Sequence, residues 1–280
     1  MPGQMAEDSL SGRVAAVTGG ARGIGRAIAA SLARRGARVA VGDLDGDAAG
    51  RAAAEIGGGA VGLGVDVTDP ASFEAFLDGA RDAHGPLDVL VNNAGVMVVG
   101  PLADANIAAA ARVMKVNVDG VMNGMRLAIP RLRGRGGGQI VNVVSGAGWV
   151  APAALATYAA SKHAAKALSD SVRDEVRGEG IRVTAVYPML VQTELAVGTK
   201  PARGGRWISP DEVGEAVAAA VEKPRDEVFV PRWVAGVLRI QSALPPRGRD
   251  AMARVFGVDK LYTSVDPKTR AEYERRLGGG

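Results

Sequence analysis

The chain has 280 residues, 47% of them hydrophobic, with no cysteine, two histidines and a formal charge of +4. Disulfides and thiolate metal centres are therefore excluded, two isolated histidines give no zinc site, and no apolar run reaches the ~18–20 residues of a membrane span. The charge is uneven: residues 231–280 carry 10 Lys+Arg against 5 Asp+Glu, leaving 24 against 25 in residues 1–230, so the neutral body argues against nucleic-acid binding.

The first apolar run, Arg13 to Thr18, predicts a strand. Gly19-Gly20-Ala21-Arg22-Gly23-Ile24-Gly25 follows at once, then a helix with Ile24, Ile28 and Leu32 on one face. Strand, glycine-rich turn and helix start in this order suit a pyrophosphate, because glycines let the backbone approach it and the helix end offers free N–H groups and a dipole. A second strand, Arg38 to Gly42, ends in Asp43, where a carboxylate takes both hydroxyls of an adenosine ribose and repels a 2′-phosphate. Arg22 would clamp such a phosphate and argues the other way; the carboxylate favours NAD over NADP. Asp45 and Asp47 suit the first turn of the next helix.

Ala60 to Val65 predicts a third strand leading to Asp66-Val67, placed to meet an adenine, and a helix from Asp69 to His84 carries Pro70 in its first turn. Leu87 to Val91 is the fourth strand and runs into Asn92-Asn93-Ala94-Gly95. Helical patterning covers Asp104 to Leu132, broken near Lys115-Val116-Asn117-Val118. Ile140 to Val144 reads as a buried strand closed by Ser145, whose hydroxyl faces the crevice where open α/β sheets bind ligands. The next helix runs to about Arg177 and carries Tyr158-Ala159-Ala160-Ser161-Lys162; strand Ile181 to Tyr187 then ends at Pro188. A looser segment reaches Ile208, Ser209-Pro210-Asp211-Glu212 is a capping box, and Asp226 to Val230 is the last strand. Seven strands alternating with helices predict a Rossmann-type doubly wound parallel sheet, with residues 1–230 as one dinucleotide-binding and catalytic domain and 231–280 as a helical extension.

Four residues apart on a helix, Tyr158 and Lys162 project from one face with about 6 Å of axial rise between them. At an effective dielectric near ~20, an ammonium that close favours a phenolate by roughly 3–4 kcal/mol, enough to bring a tyrosine pKa of about 10 towards neutrality. Such a phenol trades protons at working pH. Tyr-x-x-x-Lys alone is a common pentapeptide; the glycine-rich turn, the acidic strand ends and Ser145 give it meaning.

Together these residues resemble the short-chain dehydrogenase/reductase family over about Ser11 to Val230. Thr18 to Gly25 matches its Thr-Gly-x-x-x-Gly-x-Gly, Asp66 and Asn92-Asn93-Ala94-Gly95 match its adenine-binding and sheet motifs, and Asn117, Ser145, Tyr158 and Lys162 match its catalytic tetrad. The resemblance implies that Tyr158 is the general acid/base, that Lys162 lowers its pKa and holds the nicotinamide ribose, that Ser145 hydrogen-bonds the substrate oxygen, and that Asn117 anchors a water relay. It also implies cofactor contacts from Gly19, Arg22, Gly23, Ile24, Gly25, Asp43, Asp66, Val67, Asn93, Ala94, Gly95, Tyr158, Lys162, Pro188, Val191 and Thr193. The expected activity is hydride transfer between NAD and a secondary alcohol or ketone. A catalytically silent dinucleotide-binding regulator or structural subunit is the alternative, and epimerase or dehydratase chemistry is disfavoured by the glycine spacing.

Met189 stands where the family usually has glycine and is expected to line the substrate pocket with Met97 and Trp149. Ala159, Ala160, Ala164, Ala165 and Ala167 either pack against the sheet or allow close helix approach; the resemblance implies a dimer built on the helices around Asp104–Leu132 and Thr157–Arg177, within a homodimer or homotetramer. After Val230 the chain continues through Pro231-Arg232-Trp233, where many relatives finish in a glycine-rich turn. There Trp233, Val234, Val237, Leu238 and Gln241, then Met252, Val255 and Phe256, form two amphipathic pieces hinged at Leu244-Pro245-Pro246. They are expected either simply to pack against their own domain or to close over the crevice as a wall for a bulky lipophilic substrate, with contact of the flanking arginines with an anionic membrane as the lesser option. The N-terminus lacks a charged-then-apolar signal pattern, which predicts a cytoplasmic protein.

Overall fold

Short, nearly continuous apolar runs alternating with one-sided helices have one stable arrangement, a parallel sheet covered on both faces. The computed structural model describes residues 9–199, 206–257, 261–263 and 265. Its strands are β1 (Val14–Thr18), β2 (Arg38–Asp43), β3 (Val61–Gly64), β4 (Val89–Asn92), β5 (Gly138–Val143), β6 (Ile181–Pro188) and β7 (Glu227–Val230). They form one sheet in the order β3-β2-β1-β4-β5-β6-β7, every neighbouring pair parallel.

The helices are α1 (Gly23–Arg34), α2 (Gly46–Ile56), α3 (Pro70–His84), α4 (Ile107–Met114), α5 (Gly120–Gly134), α6 (Ala156–Val176), α7 (Pro210–Glu222), α8 (Val234–Ala243) and α9 (Pro246–Phe256). Strand side chains alternate between two cores. Ala16, Leu90 and Ile140 turn towards α3, α5 and α6, while Val17, Val89, Val91 and Val141 turn towards α1, α2 and α7. Helix starts follow the local chemistry: Asp45, Asp69, Asn106 and Ser209 each accept a first-turn N–H, and Ser209 with Glu212 completes the expected capping box.

Several element boundaries differ from expectation by one to three residues. The helical segment starts at Ile107 rather than Asp104, because Asn106 is its cap and Leu102–Asp104 forms a separate 3₁₀ turn. The predicted break is a single π-turn, Lys115–Asp119, between α4 and α5. Strand β5 covers Gly138–Val143 rather than Ile140–Val144, its first residue pairing with Ile181.

Two features fix what carries the site. Asn92 Nδ2 donates to Asn142 Oδ1 (2.9 Å) and Asn142 Nδ2 donates to Ser169 Oγ (2.9 Å), so β4, β5 and α6 are joined through the core. Val234 and Leu238 of α8 are buried in the same core as Tyr187 and Phe229, which seats the extension at the β7 edge. His84 and His163 sit in α3 and α6, each with one ring nitrogen near a backbone carbonyl. Among the described residues no helix is long and apolar enough to cross a membrane, and no cluster of acidic and histidine side chains could hold a metal ion.

Candidate active site

From β1 the chain winds outward through β2 and β3, then returns to place β4 on the other side of β1. That reversal opens a crevice at the carboxyl ends of the strands. A cavity of about 1460 Å³ lies there, lined by every residue expected to touch the cofactor, from Gly19 to Thr193.

The glycine-rich turn is built for close approach. Gly19 and Gly23 have φ of 62° and 54°, and a Cβ on Gly25 would overlap the Gly19 carbonyl oxygen. Thr18 Oγ1 accepts from the backbone N–H groups of Asn93 (3.1 Å) and Ala94 (3.2 Å), while Asn93 Nδ2 donates to the carbonyls of Thr18 and Gly19 (both 3.0 Å). The turn is thus held to the end of β4. Unlike its neighbours, α1 has no side-chain cap and no acidic residue in its first turn. A helix end left open in this way fits a pyrophosphate.

Around it the acidic strand ends are braced. Asp43 accepts from Ala21 N (3.1 Å), which ties the end of β2 to the glycine turn. Asp66 Oδ1 accepts from the backbone N–H and hydroxyl of Thr68 (2.9 and 2.8 Å), leaving Oδ2 without a partner among the described residues. Arg22 pairs with Glu194 at 3.2 Å, and a Cβ on Gly23 would meet Thr193 Cγ2 at 3.4 Å, so the segment after β6 closes down on the turn. Pro188, Val191 and Thr193 line the same wall.

Tyr158 and Lys162 rise from the first turns of α6, 8% and 4% exposed, with Lys162 Nζ 5.7 Å from the centre of the Tyr158 ring. Lys162 Nζ donates to the Val143 carbonyl (3.2 Å), and burial lowers its pKa from 10.5 to about 8. Ser145 follows β5 with φ 152°, an unusual backbone for a residue with a side chain. Its Oγ accepts from Ala147 N (3.1 Å), leaving the hydroxyl proton for a partner in the cavity.

Asn117 lies in the π-turn and does not line the cavity. Its Oδ1 accepts from Val96 N (2.9 Å), and its Nδ2 donates to Val96 O (2.9 Å) and Ser161 Oγ (3.0 Å). Ser161 Oγ in turn donates to the Tyr158 carbonyl (2.7 Å). The amide is therefore a brace between the strand-end segment and α6, one step behind Tyr158.

Of the three residues expected in the substrate pocket, Met97 and Met189 line the cavity. Met189 lies over the Ser145 turn, where a Cβ on Gly146 would come within 2.5 Å of its Sδ. Its φ is not positive, so the position has no need of glycine. Trp149 is a correction. The 3₁₀ turn Gly146–Gly148 carries it away from the cavity and under the sheet end, against Tyr187 (5.8 Å between ring centres) and Phe229 (5.7 Å), with Lys166 Nζ 4.7 Å from its ring. Instead Ala147, Leu155 and Leu195 pack with Met97 around Tyr158, and Tyr262 joins them from the extension. Trp233, Val237 and Met252 complete the apolar side, with the polar Gln241 beside them. Helical periodicity marks Val237 and Gln241; no pattern marks Leu195 or Tyr262.

The comparisons with known proteins agree with this geometry. A family model described as short chain dehydrogenase matches residues 13–204. The chain is 35% identical over 213 residues to the 3-alpha-(or 20-beta)-hydroxysteroid dehydrogenase of Mycobacterium bovis, covering 76% of this chain and 78% of that one. It is 38% identical over 229 residues to the 1-deoxy-11-beta-hydroxypentalenate dehydrogenase of Streptomyces exfoliatus, covering 79% and 83%. A solved short chain dehydrogenase/reductase from Burkholderia phymatum, in complex with NAD, matches with a TM-score of 0.76 at 27% identity, over 83% of this chain and 94% of that one. These relatives give no support to a silent regulator. The chain belongs to the short-chain dehydrogenase/reductase family and is a nicotinamide-dependent oxidoreductase of alcohols and ketones.

Proposed function

We propose that the enzyme interconverts a bulky, lipophilic secondary alcohol and its ketone with NAD, using Tyr158 as general acid/base. The observation that carries this is the shielded Tyr158–Lys162 pair facing the same cavity as an open helix N-terminus. The α1 N-terminus and the Gly19–Gly25 turn would hold the pyrophosphate, Asp43 the adenosine ribose, Asp66 and Val67 the adenine, and Pro188, Val191 and Thr193 the carboxamide. When bound, the nicotinamide supplies or accepts the hydride. Tyr158 Oη exchanges the proton with the substrate oxygen, Ser145 donates a hydrogen bond to that oxygen, and the Lys162 charge favours the phenolate. Asn117 acts as a positioning residue through Val96 and Ser161.

The lipophilic substrate is supported by Met97, Met189, Leu195, Trp233, Val237 and Met252 along one side of the cavity. Relatives named for a hydroxysteroid and a hydroxypentalenate point the same way. NADH formation across a panel of small and polycyclic alcohols tests it: turnover confined to small, polar alcohols would overturn the substrate class.

We further propose residues 1–230 as the catalytic domain, with 231–280 as the extension that completes the substrate side, in a cytoplasmic homo-oligomer. Ala160 and Ala167 are exposed on α6, as a helix–helix interface needs, whereas Ala159 and Ala165 are buried against their own domain. A monomer at micromolar concentration in sedimentation velocity would overturn the oligomer.

A further inference from the structure

Helix α8 is apolar on two sides. Val234, Val237, Leu238 and Gln241 face the domain and the cavity, and Val234 and Leu238 are buried. On the other side Trp233, Gly236, Ile240 and Ala243 follow the same three-and-four spacing and are all exposed, Trp233 by 63% and Ile240 by 61%. At 100° per residue they fall within an arc of about 80°, a stripe and not a scatter. Trp233 also lines the cavity, so the stripe begins at its mouth.

The segment that carries this stripe is basic. Residues 231–257 hold five arginines, at 232, 239, 247, 249 and 254, against one acidic residue, Asp250. Arg239 pairs with Glu227 at 2.9 Å and stacks over Phe229. Arg232, Arg247 and Arg249 have no carboxylate partner among the described residues.

We infer that this face docks on an anionic lipid surface and turns the mouth of the cavity towards it. A helix of 10 residues is about 15 Å long, too short to span a bilayer but suited to lying in its interface. The indole and Ile240 enter the headgroup boundary, and the arginines reach lipid phosphates. A second copy of the chain is a poorer occupant, because a two-fold contact would bring the unpaired arginines of both copies together. The inference does not rest on the identity of the alcohol, and its readout is binding, not turnover.

The test is co-sedimentation of the full chain, with NAD present, with vesicles of phosphatidylcholine alone or phosphatidylcholine with phosphatidylserine. Binding is expected only to the anionic vesicles and is lost in about 1 M salt, where the Debye length is about 3 Å. Arg247→Glu/Arg249→Glu should weaken binding at least ~25-fold, at about fivefold per arginine removed. Ile240→Ser, which keeps the charge, should weaken it about tenfold by removing apolar burial. Neither variant touches the cavity, so turnover of a small soluble alcohol stays at the wild-type level and reports that the fold is kept. Three results would overturn the inference: no pelleting with anionic vesicles, pelleting unchanged by Ile240→Ser, or self-association without lipid that Ile240→Ser abolishes.

Discussion

Lys162 Nζ stands 5.7 Å from the centre of the Tyr158 ring, with both residues almost closed off from water. The pairing works in both directions. An ammonium near the phenol favours the phenolate, and a phenolate would relieve the burial that lowers the lysine to about 8. Tyr158→Phe is therefore expected to cut turnover by ~10²–10⁴-fold with cofactor affinity nearly unchanged, whereas Lys162→Ala weakens both. Steady-state kinetics and cofactor titration by fluorescence check this. If Tyr158→Phe kept more than about a tenth of wild-type turnover, the acid/base role would be wrong.

The same lysine predicts a pH dependence of stability. Its folded pKa of about 8 lies below the unfolded value of 10.5, so its burial costs stability. Below pH 8 both states hold the proton and the cost is fully present. Between pH 8 and 10.5 the unfolded chain holds more protons, and stability rises with pH by up to about 1.4 kcal/mol per unit; above that window neither state is charged. Lys162→Met should be inactive yet more stable below pH 8, by on the order of 2–3 kcal/mol, and should lack this lysine's share of the alkaline rise. Urea denaturation at a series of pH values decides it; a variant with the wild-type pH profile would mean that the ammonium is better compensated than burial implies.

Cofactor choice turns on two charges at the rim. Asp43 at the end of β2 opposes a 2′-phosphate, and Arg22, which would attract one, is engaged by Glu194 at 3.2 Å. Both partners of that pair are largely exposed, so it is worth at most about 1 kcal/mol. NAD should bind more tightly than NADP, with the preference narrowing in Asp43→Ala and narrowing further in Asp43→Ala/Glu194→Gln as Arg22 is released. Fluorescence titration of both cofactors measures this, and a wild-type preference for NADP would show that Arg22 prevails.

The sheet, and the gathering of the glycine-rich turn and acidic strand ends along one crevice, were legible in the sequence because they depend on local rules. A strand must end before Gly19, a carboxylate at Asp43 must face the crevice, and the capped helix starts announce themselves. The substrate half was less legible. Trp149 sits only four residues beyond Ser145, but the 3₁₀ turn between them sets its direction, and the slot that takes it is formed by Tyr187 and Phe229 from distant strands. Tyr262 packs against the cluster of Met97, Ala147, Leu155 and Tyr158 from a segment with no period at all. For Asn117 the motif names the residue without saying that its amide is used up on Val96 and Ser161.

Helix α8 cannot be removed to learn what the extension does, because Val234 and Leu238 are 4% and 2% exposed in the core shared with Phe229. Val237 and Met252 are better probes: both line the cavity and both are only partly buried, so a polar replacement reaches the substrate side without opening the core. If the extension forms the wall for a bulky apolar substrate, Val237→Ser and Met252→Ser each remove contacts present in both the ground state and the transition state. Such uniform binding appears in KM and leaves kcat unchanged. Losing about 1 kcal/mol of apolar contact should raise KM for a polycyclic ketone roughly fivefold per variant, while a small ketone that does not reach α8 keeps its wild-type KM. Kinetics with the two ketones, alongside thermal midpoints to confirm that the fold is kept, separate the possibilities. Equal rises in KM for both ketones, or none for either, would reduce the extension to packing at the β7 edge.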